Sequence, residues 1–213
     1  TLKKKYATER KTKILAAEGE FRIEDVIANE GCIITVTHNG FIKRTSISAY
    51  RSQKRGGKGV IGAGQHEDDF ITHLFTASTH DYILFCMTNG RVYMEKVYEI
   101  PEGARTAKGR AIANVLQLQK DEKIAATICI KECSPNQFLV MGTRKGIVKK
   151  TNLGEYANCR KGGLIGINID DDDELVNVVV TNGTNDLVII TRDGMSIRFT
   201  EEELRDQGRT TRG

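Results

Sequence analysis

Apolar residues gather in four short runs along the chain, each broken once by turn-forming residues. The pattern predicts four β-hairpins, over residues 33–44, 82–93, 138–150 and 187–198. In three of them the break is Asn-Gly or Asp-Gly, which favours a type I′ turn because both central residues of that turn need a positive φ. Helix signals are mostly confined to the segments between hairpins, so the pattern predicts an all-β fold.

The four hairpins recur with a period near 50 residues. Their turn glycines are 50, 56 and 48 residues apart, at Gly40, Gly90, Gly146 and Gly194. An apolar residue follows ten positions later, at Tyr50, Ile100, Tyr156 and Leu204. A basic loop then ends in a glycine 19, 19, 17 and 19 residues after the turn glycine, at Gly59, Gly109, Gly163 and Gly213. This repeat length is typical of propeller-like arrays, whose units must pack against one another.

Each repeat offers about four short strands, because an acidic turn and a further apolar run follow the basic loop. Blade-like repeats are predicted near 32–80, 81–135 and 136–184, with a partial one at 185–213. We therefore expect an incomplete propeller-like array of about three and a half repeats, a fragment of a longer array. Residues 1–20 are polar and basic and are interpreted as a lead-in and linker, and residues 21–213 as the array domain.

Composition and charge exclude several classes of protein. With 39% hydrophobic residues, 28% charged residues and 2 prolines, the chain is neither collagen-like nor disordered throughout. Its longest apolar run is far shorter than the roughly 20 residues of a membrane helix, and the five cysteines are expected to be reduced thiols.

Charge is distributed unevenly along the chain. Residues 1–62 carry 13 Lys/Arg against 6 Asp/Glu, and residues 63–213 carry 19 against 22. The basic end indicates a polyanionic partner.

One loop of the first repeat is rich in both cations and glycine. It consists of Gln53, Lys54, Arg55, Gly56, Gly57, Lys58 and Gly59, and Arg51 precedes it. Glycines let the backbone approach a phosphate closely, and cations displace the counterions condensed on DNA. We interpret the loop as a phosphate-binding element, the alternative being a solvated surface loop. Residues 57–62 also match GxGxxG, but they lack the preceding strand and following helix of a dinucleotide site.

Lysine and arginine recur at equivalent positions of the repeats, beside the hairpin turns, shortly after them and in the basic loops. They are Lys43, Arg44, Arg51, Arg91, Arg105, Lys108, Arg110, Arg144, Lys145, Lys149, Lys150, Arg160, Lys161, Arg192, Arg198, Arg209 and Arg212. Because equivalent positions of a repeat share a face, they predict a basic stripe that binds DNA phosphates, with the acidic turns on another surface. Removing Lys149 and Lys150 together is expected to reduce the salt slope by about 2. The alternative is scattered solubilising charge.

Catalytic and metal-binding patterns are missing from the sequence. The four histidines show neither metal-ligand spacing nor clustering with cysteine, and no nucleophile–base set falls at related slots of the repeat. The acidic run at 170–174 lacks the glycine and distal glutamate of a calcium loop and is interpreted as an exposed turn. We therefore predict no catalytic residue and no metal ligand.

With the repeat and the loop at 53–59 in view, the chain resembles the C-terminal domain of the bacterial DNA gyrase A subunit. That family has a seven-residue box, Gln-Arg-Arg-Gly-Gly-Lys-Gly, which residues 53–59 match at six positions. The exception is Lys54, which keeps the charge of arginine but loses its guanidinium fork. The segments 23–27 and 42–44 are also similar, and residues 1–13 resemble the exit from the coiled-coil arm of that protein.

The resemblance implies a β-pinwheel, a propeller-like ring that binds and wraps double-stranded DNA around its edge without sequence preference. It implies a part of a cytoplasmic, nucleoid-associated type II topoisomerase, an isomerase that introduces negative supercoils. The implied partners are the N-terminal domain of the gyrase A subunit, in the same polypeptide, and the gyrase B subunit in an A2B2 complex. No cofactor is expected in this chain, because the ATP and Mg²⁺ of the complex, and its cleavage tyrosine, belong elsewhere.

Two other functions remain open from the sequence. The related domain of the topoisomerase IV A subunit is the nearest, although the box is degenerate or missing there. A propeller-like protein-interaction module is the other, and its affinity would depend little on salt.

Overall fold

A computed structural model describes residues 2–8, 12, 23–50 and 69–213 of the chain. Arg51 and the glycine-rich loop at 53–59 lie outside the described residues. A short helix, α1, spans Leu2–Tyr6. Strands joined by turns and short 3₁₀ segments make up most of the remainder, which confirms the all-β prediction.

The described residues form thirteen strands in four antiparallel sheets. In chain order the strands are β1 (Gly31–Thr37), β2 (Phe41–Ser46), β3 (Ile71–Ser78), β4 (Tyr82–Met87), β5 (Arg91–Lys96), β6 (Arg110–Ala111), β7 (Ile124–Ile130), β8 (Phe138–Thr143), β9 (Val148–Asn152), β10 (Leu164–Ile165), β11 (Leu175–Thr181), β12 (Asp186–Ile190) and β13 (Ser196–Thr200). The sheet orders are β3-β1-β2-β6, β10-β5-β4-β7, β11-β8-β9 and β12-β13. The 3₁₀ segments are Ile23–Asp25, Ile47–Ala49, Val97–Glu99, Ile112–Asn114, Leu153–Tyr156 and Glu201–Glu203.

The hairpin turns differ in type from the prediction. All four turn glycines have a φ between 76° and 87°. The N–H of each donates to the carbonyl three residues earlier, as from Gly40 to Thr37 at 3.0 Å. Asn39 and Asn89 keep a negative φ, since Asp121 is the only non-glycine residue with a positive φ in the described ranges. The type I′ assignment is therefore wrong: these three-residue loops need a single left-handed residue, which the glycine supplies.

The fourth strand of each of the first two sheets comes from the following repeat. β6 pairs with β2 through Arg110 and Ile42, and β10 pairs with β5 through Leu164 and Val92. Each of these two blades thus has three local strands and one exchanged strand. The exchange places the basic loop of one repeat against the hairpin of the repeat before it.

The core of the described residues consists of two hydrophobic clusters on opposite sides of the second sheet. Consecutive residues of β4 alternate between them, with Ile83 and Phe85 in one cluster and Leu84 and Cys86 in the other. All four are fully buried. A strand buried on both faces is expected to have a continuous apolar sequence, and that is the pattern in residues 83–87. The second repeat is therefore packed between its two neighbours.

The hairpin β12–β13 is the most exposed of the four. Val188 is 57% exposed, whereas Ile34 and Leu84, which also lie six residues before their turn glycine, are fully buried. Ile190, Met195 and Ile197 are exposed as well. This hairpin therefore lacks, among the described residues, the apolar cover that the first two hairpins have.

Candidate nucleic-acid interface

Two basic loops are fixed by main-chain contacts to the preceding hairpin. In the second repeat the Gly103 N–H donates to the Arg44 carbonyl at 2.9 Å, and in the fourth repeat the Gln207 N–H donates to the Lys150 carbonyl at 2.9 Å. Gly109 ends the first of these loops with a φ of +88°, and a Cβ there would lie 2.6 Å from the Ile42 carbonyl oxygen. The glycine therefore allows a close approach between neighbouring repeats.

Lys43, one of the predicted phosphate ligands, points into the protein. Its side chain is 4% exposed. The Nζ atom donates to the carbonyls of Ala104 at 3.1 Å, Arg105 at 2.5 Å and Ala107 at 2.8 Å. Burial lowers the pKa of this ammonium group. The assignment of Lys43 to a phosphate contact is therefore wrong, because all three of its donors are used inside the fold.

Lys149 and Lys150 are also buried. Lys149 is fully buried, and its Nζ donates to the carbonyls of Gly166 at 2.8 Å, Arg209 at 2.5 Å and Thr211 at 3.3 Å. Burial lowers the pKa of Lys149 to about 8. Lys150 is 7% exposed and donates to the Glu201 carbonyl at 3.1 Å. Both ammonium groups are therefore turned into the fold, which argues against direct phosphate contacts; the fall of about 2 in the salt slope on removing both stays a prediction.

Arg44 and Arg91 are largely enclosed. The Arg44 side chain is 18% exposed and forms an ion pair with Glu102 at 3.3 Å. The Arg91 side chain is 22% exposed; its Nε lies 3.4 Å from Glu122, and its terminal nitrogen donates to the Gly162 carbonyl at 2.5 Å. Both arginines thus link their own hairpin to the loop of the following repeat.

The acidic turns lie beside the hairpin turns, contrary to the expectation that they occupy another surface. Arg144 forms an ion pair with Glu174 at 3.2 Å, and Lys145 pairs with Asp172. In the first repeat the Asn39 N–H donates to Asp69 at 3.0 Å. The charges next to these turns are therefore partly neutralised within the same repeat.

The remaining predicted cations of the described ranges lie at the surface. Arg198, Arg209 and Arg212 pair with Asp186, Glu155 and Asp170 respectively. Arg105 lies over the Tyr50 ring, with 5.9 Å from Cζ to the ring centroid, and Lys108 over the Phe41 ring at 4.1 Å from Nζ. Of the predicted cations within the described residues, those that are exposed and form no ion pair there are Lys108, Arg110, Arg160, Lys161 and Arg192. Four of these five belong to the basic loops or their ends, which makes the loops the strongest candidates for phosphate contacts.

A polar centre around Glu122 was missed by the sequence reasoning. The carboxylate accepts hydrogen bonds from the Tyr93 hydroxyl at 2.7 Å, the Asn89 amide at 2.9 Å and the Gln119 N–H at 2.8 Å. Burial raises the pKa of Glu122, but these hydrogen bonds outweigh it and hold the pKa below its ordinary value. One sign of it was present in the sequence. Three residues after the turn glycine, the second repeat has Tyr93 where the first and third repeats have Lys43 and Lys149.

Other reactive groups do not converge in the described part of the chain. The five cysteines are free thiols, with Cys32 and Cys86 buried, and burial raises the pKa of Cys86 to about 12. In residues 23–50 and 69–213, no three His, Cys, Asp or Glu side chains are arranged to hold a metal ion. None of the described helices is long and apolar enough to cross a membrane.

Comparison with known proteins agrees with the repeat and the fold. The chain matches the family model described as "DNA gyrase C-terminal domain, beta-propeller" over residues 33–78, 81–131, 137–182 and 185–213. The chain belongs to this family. This match confirms the propeller-like fold that the sequence predicts for the chain.

Curated relatives are DNA gyrase A subunits. The chain is 51% identical to the DNA gyrase A subunit of Clostridium acetobutylicum and 50% identical to that of Halalkalibacterium halodurans, over 212 residues in each case. Each match includes 100% of this chain and 26% of the relative. The chain thus spans about a quarter of the length of these relatives.

Solved structures with the same fold come from both DNA gyrase and DNA topoisomerase IV. The C-terminal domain of DNA topoisomerase IV superposes with a TM-score of 0.73 and 32% identity, over 88% of this chain and 57% of that one. A DNA gyrase A C-terminal domain superposes with a TM-score of 0.67 and 24% identity, over 86% and 59%. The second likeness concerns the fold alone.

Proposed function

We propose that this chain binds and wraps duplex DNA, with little sequence preference, as the C-terminal domain of a gyrase A subunit. The observation that carries the proposal is the position of the basic loops, which are anchored on neighbouring hairpins and present Lys108, Arg110, Arg160 and Lys161 to solvent. Wrapping would present a segment of the same DNA for strand passage and so direct the intact enzyme towards negative supercoiling.

Phosphate contacts provide the driving force in this proposal. Aromatic residues make up 6% of the chain and tryptophan is absent, so stacking on single strands contributes little. If the chain makes about six phosphate contacts, raising the salt concentration from about 50 to 200 mM is expected to reduce its affinity for DNA roughly a thousandfold. Titration of the 213-residue chain with duplex DNA over this range tests the proposal. A flat salt response, or a preference for single strands, would contradict it.

The loop Gln53–Gly59 is proposed to govern wrapping rather than simple binding. It holds three of the 32 Lys/Arg of the chain, so replacing all seven residues with alanine removes a modest part of the electrostatic affinity. In the intact protein, paired with the gyrase B subunit, this variant is expected to lose negative supercoiling but to keep ATP-independent relaxation and most DNA binding. Normal supercoiling by the variant would show that the loop has no such role.

The A subunit of topoisomerase IV is the second candidate for the parent protein, favoured by the TM-score of 0.73 and 32% identity of a topoisomerase IV C-terminal domain. The nearly intact box at 53–59 favours gyrase. The two are distinguished by incubating the intact enzyme with relaxed plasmid and ATP: a gyrase introduces negative supercoils, whereas topoisomerase IV does not.

The remaining functions belong to other parts of the proposed complex. We place the cleavage tyrosine in the N-terminal domain of the gyrase A subunit, and the ATP and Mg²⁺ sites outside this chain, in an A2B2 complex of the bacterial cytoplasm. The chain alone is then neither an ATPase nor a nuclease. Cleavage of DNA by the isolated chain that is lost on changing one of its tyrosines would contradict this assignment.

A further inference from the structure

Two buried lysines have no part in the surface that the proposed function uses. Lys43 and Lys149 both lie three residues after a turn glycine and are 4% and 0% exposed. Burying a charge is costly unless its hydrogen bonds are satisfied. An apolar side chain would fill either position at a lower desolvation cost, so the ammonium groups require an explanation other than packing.

The hydrogen bonds of the two ammonium groups supply that explanation. Each Nζ has three donors, and each donates to three carbonyls. Five of the six acceptors belong to the basic loop of the following repeat: Ala104, Arg105, Ala107, Arg209 and Thr211. Each lysine therefore binds the backbone of a loop whose side chains include the surface cations.

The contacts fix the loop from its inner side. With their carbonyls turned towards the buried ammonium group, the two loops keep Lys108 and Arg212 exposed. A loop held in one conformation loses less entropy when it binds a ligand than a loop that must become ordered. The buried lysine thus favours binding by the exposed cations of the loop.

We infer that Lys43 and Lys149 are positioning residues, each of which holds the basic loop of the next repeat in the conformation that presents its cations to DNA phosphates. The inference rests on the proposed DNA-binding function. Neither lysine contacts DNA in this arrangement, and each acts across the boundary between two repeats.

The test compares Lys43→Met with Lys161→Met in the full 213-residue chain, using linear duplex DNA at several salt concentrations. Lys161 is exposed and has no ion-pair partner among the described residues, so its loss is expected to weaken binding roughly threefold and reduce the salt slope by about 1. Lys43→Met is expected to weaken binding roughly tenfold and reduce the slope by about 2, because it disturbs the contacts of both Arg105 and Lys108.

A double-mutant comparison separates positioning from direct contact. In a chain that already carries Arg105→Ala and Lys108→Ala, Lys43→Met is expected to cause no further loss of affinity. Amide hydrogen exchange of residues 103–109 is expected to accelerate in Lys43→Met and to stay unchanged in Lys161→Met. A purely structural lysine would lower the melting temperature without this dependence on the loop cations.

Each outcome bears on the inference. Unchanged affinity and exchange in Lys43→Met would overturn it, as would an additive loss in the Arg105→Ala, Lys108→Ala background. If the unaltered chain shows no salt-dependent binding, the proposed function fails, while the exchange data still report whether the lysine holds the loop. If Lys43→Met does not fold, Lys149→Met and Lys149→Gln make the same comparison with Arg209 and Arg212.

Discussion

The junction between the second and third repeats is built differently from the two junctions that flank it. At the flanking junctions, Lys43 and Lys149 donate forward to the carbonyls of the next repeat's loop. At the middle junction the same position is Tyr93, whose hydroxyl donates back to Glu122 in its own repeat at 2.7 Å. There the Arg91 side chain reaches forward instead, to the Gly162 carbonyl.

The middle junction also differs from the flanking ones in the length of its loop. Its loop ends 17 residues after the turn glycine, two fewer than in the other three repeats. The shorter loop brings Gly163 against the Tyr93 ring, where a Cβ would lie 2.7 Å from the nearest ring atom. The comparison shows that one position of the repeat can serve either as a charged link between repeats or as an apolar contact with a local hydrogen bond.

The largest expected effect on stability comes from removing the ammonium group at a flanking junction. Lys149→Met removes one donor from each of three carbonyls. The Thr211 carbonyl keeps the Asn168 N–H at 2.9 Å, and the Gly166 carbonyl keeps the Tyr156 hydroxyl at 3.5 Å. The loss is also partly offset by the relieved burial of a charge, and the variant is expected to lower the free energy of unfolding by about 1–4 kcal/mol. Chemical denaturation measures this change. Lys161→Met, on the surface, is the control and is expected to change stability by less than about 0.5 kcal/mol.

Removing the hydroxyl at the middle junction is expected to have a smaller and more local effect. Tyr93→Phe keeps the ring against Gly163 but removes a hydrogen bond to a carboxylate, which costs about 1.5–3 kcal/mol. Hydrogen exchange is expected to accelerate around residues 119–122 and not in the loop at 160–163. Acceleration in that loop instead would show that Tyr93, like Lys149, links two repeats.

The two kinds of junction are expected to respond to pH in different ranges. The folded-state pKa of Lys149, about 8, is below the 10.5 of the unfolded chain. The folded state therefore loses this proton first, and the free energy of unfolding rises with pH between these values, by at most about 1.4 kcal/mol per pH unit. The check is to subtract the stability of Lys149→Met from that of the unaltered chain across this range; a difference that falls with pH would contradict the prediction.

The contribution of Glu122 to stability is expected to be lost at acidic pH. Its folded-state pKa is lowered, so the stability that it contributes is present above its unfolded pKa and is lost as the pH falls through the folded value. Denaturation of the unaltered chain and of Glu122→Gln below about pH 4.5 measures the effect. The two stabilities are expected to converge in acid, and a constant difference would show that Glu122 acts only through packing.

The smallest expected effect concerns Arg91. Its side chain is partly exposed and donates to the Gly162 carbonyl, so Arg91→Met is expected to lower the free energy of unfolding by about 1 kcal/mol. Hydrogen exchange of residues 160–163 is expected to accelerate. Unchanged exchange in this loop would show that the exchanged strand β10 holds it without the arginine.

The amino-acid sequence by itself determined the local structure and the repeat. Glycine tolerates the left-handed φ of the hairpin turns, so Gly40, Gly90 and their equivalents mark the turns at a regular spacing. The continuous apolar run in β4 follows from burial on both faces. The resemblance of the loop at 53–59 to the seven-residue box is read directly from its sequence. Its proposed role stays a prediction, because the loop lies outside the described residues.

Only the tertiary structure decided which cations face solvent. Lys43 and Lys108 are both predicted cations, one in the first repeat and one in the second. Lys43 is buried and Lys108 exposed, because the loop that encloses Lys43 is 61 residues away in the sequence at its first contact. The partners of Arg144 and Lys145 are likewise set by the fold of the acidic turn. A local pattern records charge and spacing, whereas burial depends on what another repeat places over the side chain.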